Sequence, residues 1–279
     1  MTEAMKRLFT LLAALAVLAG AAAPSAAQVA PPARVALLDG WAEPDGARMV
    51  AITVSLAPGW KTYWRSPGDA GIPPSFDWSG SRNLDRVEFF WPVPEVIDSY
   101  GMQTLGYHNR LVLPVLLVPR NPAEPLRVSV AMDYGVCSDI CMPADALAVG
   151  EMAPGAPASP SAGLIRAALG HLPETAAQAG VTEVSCTLVP SADGFDISAR
   201  VRFDHALSAA PQIVVMESPV EDLWITPSRP VLQGADTIAT HADLDYLGSG
   251  PLTLDRSTLR LTLIGGGRAV ELHGCPAPR

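Results

Sequence analysis

From Leu126 to Tyr134 every second residue is apolar: Leu126, Val128, Val130, Met132 and Tyr134 alternate with Arg127, Ser129, Ala131 and Asp133. Val50, Ile52, Val54 and Leu56 alternate in the same way with Ala51, Thr53 and Ser55. A period of two places one set of side chains on one face of an extended strand, so both stretches read as half-buried strands. Leu111 to Val118 is instead a continuous apolar run interrupted by Pro114, whose missing N–H predicts an edge or bulged strand. No helix of useful length competes in this half of the chain.

Met152 to Pro160 is a Pro/Ala/Ser stretch with low conformational commitment and marks the clearest boundary. Ala162 to Leu172 then has helical composition, with Leu164, Ile165, Ala168 and Leu169 on one face. Strand signals return at Val181–Val189, Phe195–Phe203, Gln212–Met216, Thr237–Leu244, Leu259–Ile264 and Ala269–Leu272. The expected fold is therefore mostly β: two antiparallel β-sandwich domains, immunoglobulin-like in size and strand spacing, with one short linking helix. The expected divisions are 34–150 for the first domain, 151–180 for the linker and helix, and 181–279 for the second domain.

The first residues carry Lys6 and Arg7, an apolar run from Leu8 to Ala23, and then Pro24-Ser25-Ala26-Ala27. That run is shorter than the roughly 20 residues a spanning helix needs, and it ends in the small residues a signal peptidase accepts. Residues 1–27 thus read as a secretory signal peptide cleaved after Ala27, which places the mature chain in the periplasm. The formal charge of the whole chain is −9. An acidic surface makes nucleic acid an unsuitable partner, because phosphate binding needs a basic one.

All four cysteines follow the leader, in an oxidising compartment. Cys137 and Cys141 lie four apart at the end of a strand, with Gly135 loosening the backbone before them and Pro143 stiffening it after. A bridge that closes so small a loop gains little loop entropy, so a redox-cycling pair explains it better than a structural bridge or a metal-binding dithiol. Cys186 lies in the first strand of the second domain and Cys275 just past its last strand, where a bond would act as a structural staple. The five histidines, at 108, 171, 205, 241 and 273, show no paired ligand spacing, so no metal site is expected. Neither a nicotinamide or flavin fingerprint nor a thioredoxin-like Cys-x-x-Cys occurs, and no cofactor is expected. Nine of the eleven Trp and Tyr residues lie between Trp41 and Tyr134, most of them as core. Gly59–Pro74 and Ile97–Gly101 are segments able to cover a reactive pair.

Three segments together resemble the N-terminal periplasmic domain of the DsbD thiol:disulfide interchange family, and its ScsB branch more closely. They are Gly59-Trp-Lys-Thr-Tyr-Trp-Arg-Ser-Pro-Gly-Asp-Ala-Gly-Ile-Pro-Pro74, Tyr100-Gly101 with Tyr107-His-Asn-Arg-Leu-Val-Leu-Pro114, and Tyr134-Gly-Val-Cys-Ser-Asp-Ile-Cys-Met-Pro143. The resemblance runs from about Val35 to Val149. It implies an immunoglobulin-like fold, Cys141 as the cysteine that forms mixed disulfides and Cys137 as the resolving thiol. It further implies Tyr63 as an active-site tyrosine and Asp98, Ser99, Tyr100 and Gly101 as a cap. As partners it implies thioredoxin-like periplasmic proteins or disulfide isomerases, and a membrane electron conduit of the DsbD/CcdA type. The cysteines here are separated by three residues, as in the ScsB-like branch, where DsbD has five.

The leading functional expectation is an electron-relaying thiol:disulfide oxidoreductase that needs an external donor. A copper(I)-handling protein using Cys137, Cys141 and Met142 is the runner-up, since these are soft ligands. A non-catalytic β-sandwich interaction module is the third.

Overall fold

The computed structural model describes residues 31–99, 101–191, 194–250 and 252–278. The expected leader and its cleavage site lie outside the described residues. Two sheets come from the first half of the chain. One has the order β1 (Ala33–Ala42), β2 (Arg48–Leu56), β8 (Arg110–Pro119), β5 (Leu84–Phe89). The other has the order β10 (Cys141–Met152), β9 (Leu126–Cys137), β3 (Lys61–Gly68), β7 (Met102–His108), β6 (Glu95–Ser99), with the short β4 (Ser75–Asp77) also on β9. All these pairings are antiparallel. Val50, Ile52 and Val54 from β2 meet Val128, Val130, Met132 and Tyr134 from β9 in one buried cluster, so the two alternating stretches face each other as the core of a sandwich.

The run at 111–118 is interior, not an edge: β8 lies between β2 and β5. The backbone N–H of Phe90, just past the end of β5, donates to the carbonyl of Pro114. In an extended strand a residue's N–H and C=O point the same way, so the nitrogen of Pro114 also faces the side where β5 is ending. A proline is tolerated there because few ladder bonds remain to be lost.

The second half forms two further sheets: β11 (Glu174–Thr175), β19 (Arg268–His273), β18 (Arg260–Gly265), β14 (Ile213–Glu217), and β12 (Val181–Pro190), β13 (Gly194–Phe203), β17 (Thr237–Tyr246), β15 (Leu223–Ile225), with β16 (Val231–Gln233) also on β17. The strands expected here fall close to those observed, and the antiparallel rule has one exception, the parallel pairing of β11 with β19. Cys186 on β12 and Cys275 after β19 are bonded to each other within this second core.

Contacts cluster residues 32–279 into one compact unit. Ile213, Val215, Ile264 and Ala269 from the second half belong to the same buried cluster as Trp64, Leu105 and Tyr107. Beside them the Arg65 guanidinium, stacked 4.2 Å over the Trp64 ring, binds Glu217 at 2.9 Å and Glu271 at 2.6 Å. A half-buried cation held by two carboxylates and an aromatic face fixes β3 against β14 and β19.

The Pro/Ala/Ser stretch is tied down more than its composition predicts. Ser159 donates its backbone N–H to the Gly40 carbonyl at 2.7 Å and its hydroxyl to that of Asp39, and Arg48 donates to the Ala156 carbonyl at 3.2 Å. Arg48 is 3 % exposed, and its Nη2, which donates to both Asp39 carboxylate oxygens, leaves further N–H groups to satisfy, which draws the passing backbone onto β1. The helix that follows, α1 (Ala162–Leu169), is too short to persist alone. Ile165 anchors it against Met49 and Ala51, and Gly40 leaves the space: a Cβ there would come within 2.9 Å of the Ile165 methyl. Leu164, expected on the buried face, is exposed, and the helix ends at Leu169 rather than Leu172.

The two disulfides close loops of very different size, with sequence separations of 4 and 89. On the loop-entropy account, the double substitution of Cys186 and Cys275 by Ala lowers unfolding free energy by about 4 to 5 kcal/mol, and that of Cys137 and Cys141 by about 2 kcal/mol or less. Urea unfolding of the two variants beside the parent checks this; equal losses contradict it.

Candidate functional site

On β9 the even-numbered residues from Leu126 to Val136 point into the core, so Asp133, Gly135 and Cys137 lie on the outer face of the sheet. Cys137 ends β9 and Cys141 begins β10, with Ser138, Asp139 and Ile140 as the turn. The two are direct partners across the ladder, with Cα atoms 4.0 Å apart, and their sulfurs are bonded. Twelve successive pairs, from Cys141↔Cys137 to Met152↔Leu126, hold this register without a shift. The pair is asymmetric in access: Cys137 is 4 % exposed, while Cys141 is open to solvent.

Tyr63 also lies on the outer face, and its hydroxyl is 3.2 Å from Cys141 Sγ. A disulfide sulfur has no hydrogen to give, so the phenol donates. The ring itself is 2 % exposed, and burial pushes its pKa up from the ordinary tyrosine value, which keeps the donor proton in place. Two glycines make the slot that holds it. A Cβ on Gly135 would stand 2.9 Å from one edge of the ring and 2.8 Å from Ile72 Cβ; a Cβ on Gly71 would stand 2.6 Å from the opposite edge. Gly71 has φ +132°, a conformation side chains disfavour.

The segment that carries Gly71 and Ile72 is therefore packed on Tyr63. It is fastened to β7 by two hydrogen bonds between Asp69 and Gln103: Asp69 N–H to the Gln103 carbonyl, 2.9 Å, and Gln103 N–H to the Asp69 carboxylate, 2.8 Å. Sequence reasoning named Gly59–Pro74 as able to cover a reactive pair but gave no role to Asp69, Gly71 or Ile72. The signal was the glycine spacing around a conformationally demanding Pro/Gly run.

The other cover expected from the sequence is the tip of the β6–β7 hairpin. Asp98 accepts the backbone N–H of Gly101 at 3.3 Å, and Gly101 turns the chain with φ +84°. Ser99 pairs with Met102, but its side chain and all of Tyr100 lie outside the described residues.

Lys61 was given no role by the sequence either. It is the cross-strand partner of Cys137 on one side and of His108 on the other, and only 7 % of it is exposed. Its Nζ donates to the Thr104 hydroxyl at 3.4 Å, and burial pulls its pKa below the ordinary lysine value.

Among the described residues, one trio with metal-ligand spacing forms, Asp196, His241 and Asp243 on β13 and β17. Sequence spacing hid it because the two strands are joined only in the fold. It does not include the cysteine pair, and solvated sheet faces carry such groups without a ligand.

An exposed cysteine beside a phenolic donor is thus bonded to a buried one at the end of a two-stranded hairpin on a β-sandwich. Residues 27–150 match the family profile described as the N-terminal domain of thiol:disulfide interchange protein DsbD, so this part of the chain is similar to a DsbD N-terminal domain. The fold is similar to that of the N-terminal periplasmic domain of ScsB from Proteus mirabilis, with a TM-score of 0.63 at 20 % identity, over 88 % of this chain and 92 % of that one. No curated protein sequence matches the chain significantly.

Gly135→Ala is expected to displace the Tyr63 ring, with a stability loss of about 1 to 3 kcal/mol from overpacking. It should also separate the hydroxyl from Cys141, detectable as a changed rate of Cys141 alkylation in the reduced protein. Wild-type stability and alkylation rate in that variant contradict the described slot.

Proposed function

We propose that the protein is an exported, periplasmic thiol:disulfide oxidoreductase that relays two electrons through the Cys137/Cys141 pair. The observation that carries this reading is the asymmetry of the pair: Cys141 presents its sulfur to solvent under the Tyr63 hydroxyl, while Cys137 is buried behind it. An incoming thiolate can reach only the exposed sulfur in line with the S–S bond, so Cys141 is the site of mixed disulfides and Cys137 the resolving thiol. The leader sequence and the periplasmic origin of the similar ScsB domain support the location.

In the reduced state the Cys141 thiolate attacks a disulfide of the acceptor, forming a Cys141–acceptor bond and expelling one acceptor thiolate. Cys137 then attacks Cys141 Sγ, restores the intramolecular disulfide and releases the second acceptor thiolate. Two electrons pass to the acceptor, and the two thiol protons of the pair balance the two thiolates released. A neutral Tyr63 phenol stabilises negative charge on Cys141 by donating to it. The partners this chemistry calls for are a dithiol donor and a disulfide acceptor. Thioredoxin-like proteins or disulfide isomerases, and a membrane conduit of the DsbD/CcdA type, are the proposed identities. Among the described residues no helix is long and apolar enough to cross a membrane.

The purified reduced protein is expected to reduce one equivalent of an oxidised thioredoxin-like partner per pair and then stop. Cys141→Ser abolishes that burst, and Cys137→Ala arrests it as a mixed disulfide on Cys141, both read by mass spectrometry of the alkylated products. A full burst from Cys141→Ser overturns the reading.

A further inference from the structure

Just past Tyr63, β3 loses its regular pairing. The pair after Tyr63↔Gly106 is Gly68↔Thr104, so four residues of β3, Trp64 to Pro67, oppose the single Leu105 of β7. On the other side the pairing with β9 ends at Thr62↔Val136. Where the ladder is interrupted in this way, side chains have to hold the bulge. Trp64 is buried in the core, and Arg65 is gripped by the second half of the chain. Its Nε donates to Glu217 Oε1 at 2.9 Å, and its Nη2 donates to Glu217 Oε2 at 2.9 Å and to Glu271 Oε2 at 2.6 Å.

We infer that Glu217 and Glu271, acting through Arg65, set the position of the Tyr63 hydroxyl on Cys141, so that the second half of the chain tunes the reactivity of the disulfide carried by the first. This rests on the exchange reading proposed above and gives the second half a part in it. The bulge stands between the Tyr63 ring and the segment that returns over that ring. A Cβ on Gly71 would stand 2.6 Å from the ring and 2.9 Å from Pro67 Cβ, so Pro67 and Gly71 lie together against Tyr63. Asp69 fastens this segment to Gln103, and Arg65 fastens its root. Releasing the root frees one wall of the slot. A displaced ring carries its hydroxyl out of line with Cys141 Sγ, and hydrogen bonds weaken steeply with misalignment.

Strand alternation places the two carboxylates for this task. Val215 and Ala269 lie in the cluster shared with Trp64, and Glu217 and Glu271 stand two residues further along the same strands, on the same face. All three charged side chains are half-buried, so solvent and salt screen the network less than a surface pair. Glu271 also meets His273 at 3.1 Å and Arg260 at 3.8 Å, both more open to solvent. When the pair is reduced, the Tyr63 phenol donates to the Cys141 thiolate and favours the ionised form. A firm grip on Arg65 therefore means more thiolate at Cys141. Arg65, Glu217 and Glu271 act through Tyr63 and are positioning residues.

The test uses the full mature chain in two backgrounds, wild type and Tyr63→Phe. In each, Glu217→Gln removes one charge, and the triple variant Arg65→Met/Glu217→Gln/Glu271→Gln removes the whole network without leaving a buried charge unpaired. Each protein is reduced with dithiothreitol and alkylated with iodoacetamide across a pH series, Cys141 being resolved by mass spectrometry, with urea unfolding followed in parallel. With Tyr63 present, the triple variant should raise the Cys141 midpoint by about one unit, a tenfold loss of thiolate below the midpoint, and Glu217→Gln should raise it by less. In the Tyr63→Phe background neither should shift it further. A folded triple variant with lowered stability and an unchanged Cys141 midpoint overturns this inference alone, since a purely structural network gives that result. The same rise in the Tyr63→Phe background also overturns it. An unchanged midpoint in Glu217→Gln overturns it even where the triple variant fails to fold. A wild-type disulfide that dithiothreitol does not open in the folded protein overturns the exchange reading with it.

Discussion

The register of β9 is the constraint on which the rest of the structure depends. Its even-numbered residues supply Val128, Val130, Met132 and Tyr134 to the core, and the same alternation sends Gly135 and Cys137 to the outer face. A slip of one residue would bury the cysteine among apolar side chains and drive the aromatic and methionine side chains into water. Each buried residue of this kind contributes about 1.5 to 3 kcal/mol, so no alternative register competes. The disulfide-bearing hairpin is placed by hydrophobic patterning several residues away from any sulfur. Because β10 pairs with β9 over its whole length, the turn between them inherits that precision.

β3 is the second element that the site depends on. Its outer residues are Lys61, the ladder partner of Cys137, and Tyr63, whose hydroxyl meets Cys141, and its next residues hold the strand in place. Trp64 fills the core, and Arg65 crosses to Glu217 and Glu271. The second pair of sheets is thereby fastened to the strand that carries the site, through a charge network beside a shared apolar cluster. Tyr63 is held between glycines, so small shifts of β3 are transmitted to the hydroxyl on Cys141 with little slack.

Much of this was legible in the sequence. Alternation placed β2, β9 and most strands of the second half, because one face of each is buried and the other solvated. The short spacing of Cys137 and Cys141 and the distant spacing of Cys186 and Cys275 matched the bonds observed. Other features were not legible, for physical reasons. Pro114 reads as an edge residue unless the neighbouring strand is known to stop beside it. The Pro/Ala/Ser stretch reads as uncommitted because its partners, Arg48 and Gly40, lie more than a hundred residues earlier. Nothing in the sequence singles out Lys61, and only pairing with β9 and β7 places it in a buried position. Gly71 and Gly135 carry no chemistry of their own, and their role depends on the ring placed between them.

The central claim is that the Cys137–Cys141 bond is opened and closed on an intact sandwich, while the Cys186–Cys275 bond belongs to the fold. It is tested most directly by equilibrating the protein in graded dithiol buffers, quantifying each disulfide by differential alkylation, and following amide hydrogen exchange in the same samples. The account predicts that Cys137–Cys141 is reduced in milder buffers than Cys186–Cys275, with the protection of β2, β8 and β9 retained. Reduction of both bonds together, or loss of that protection as Cys137–Cys141 opens, would contradict it.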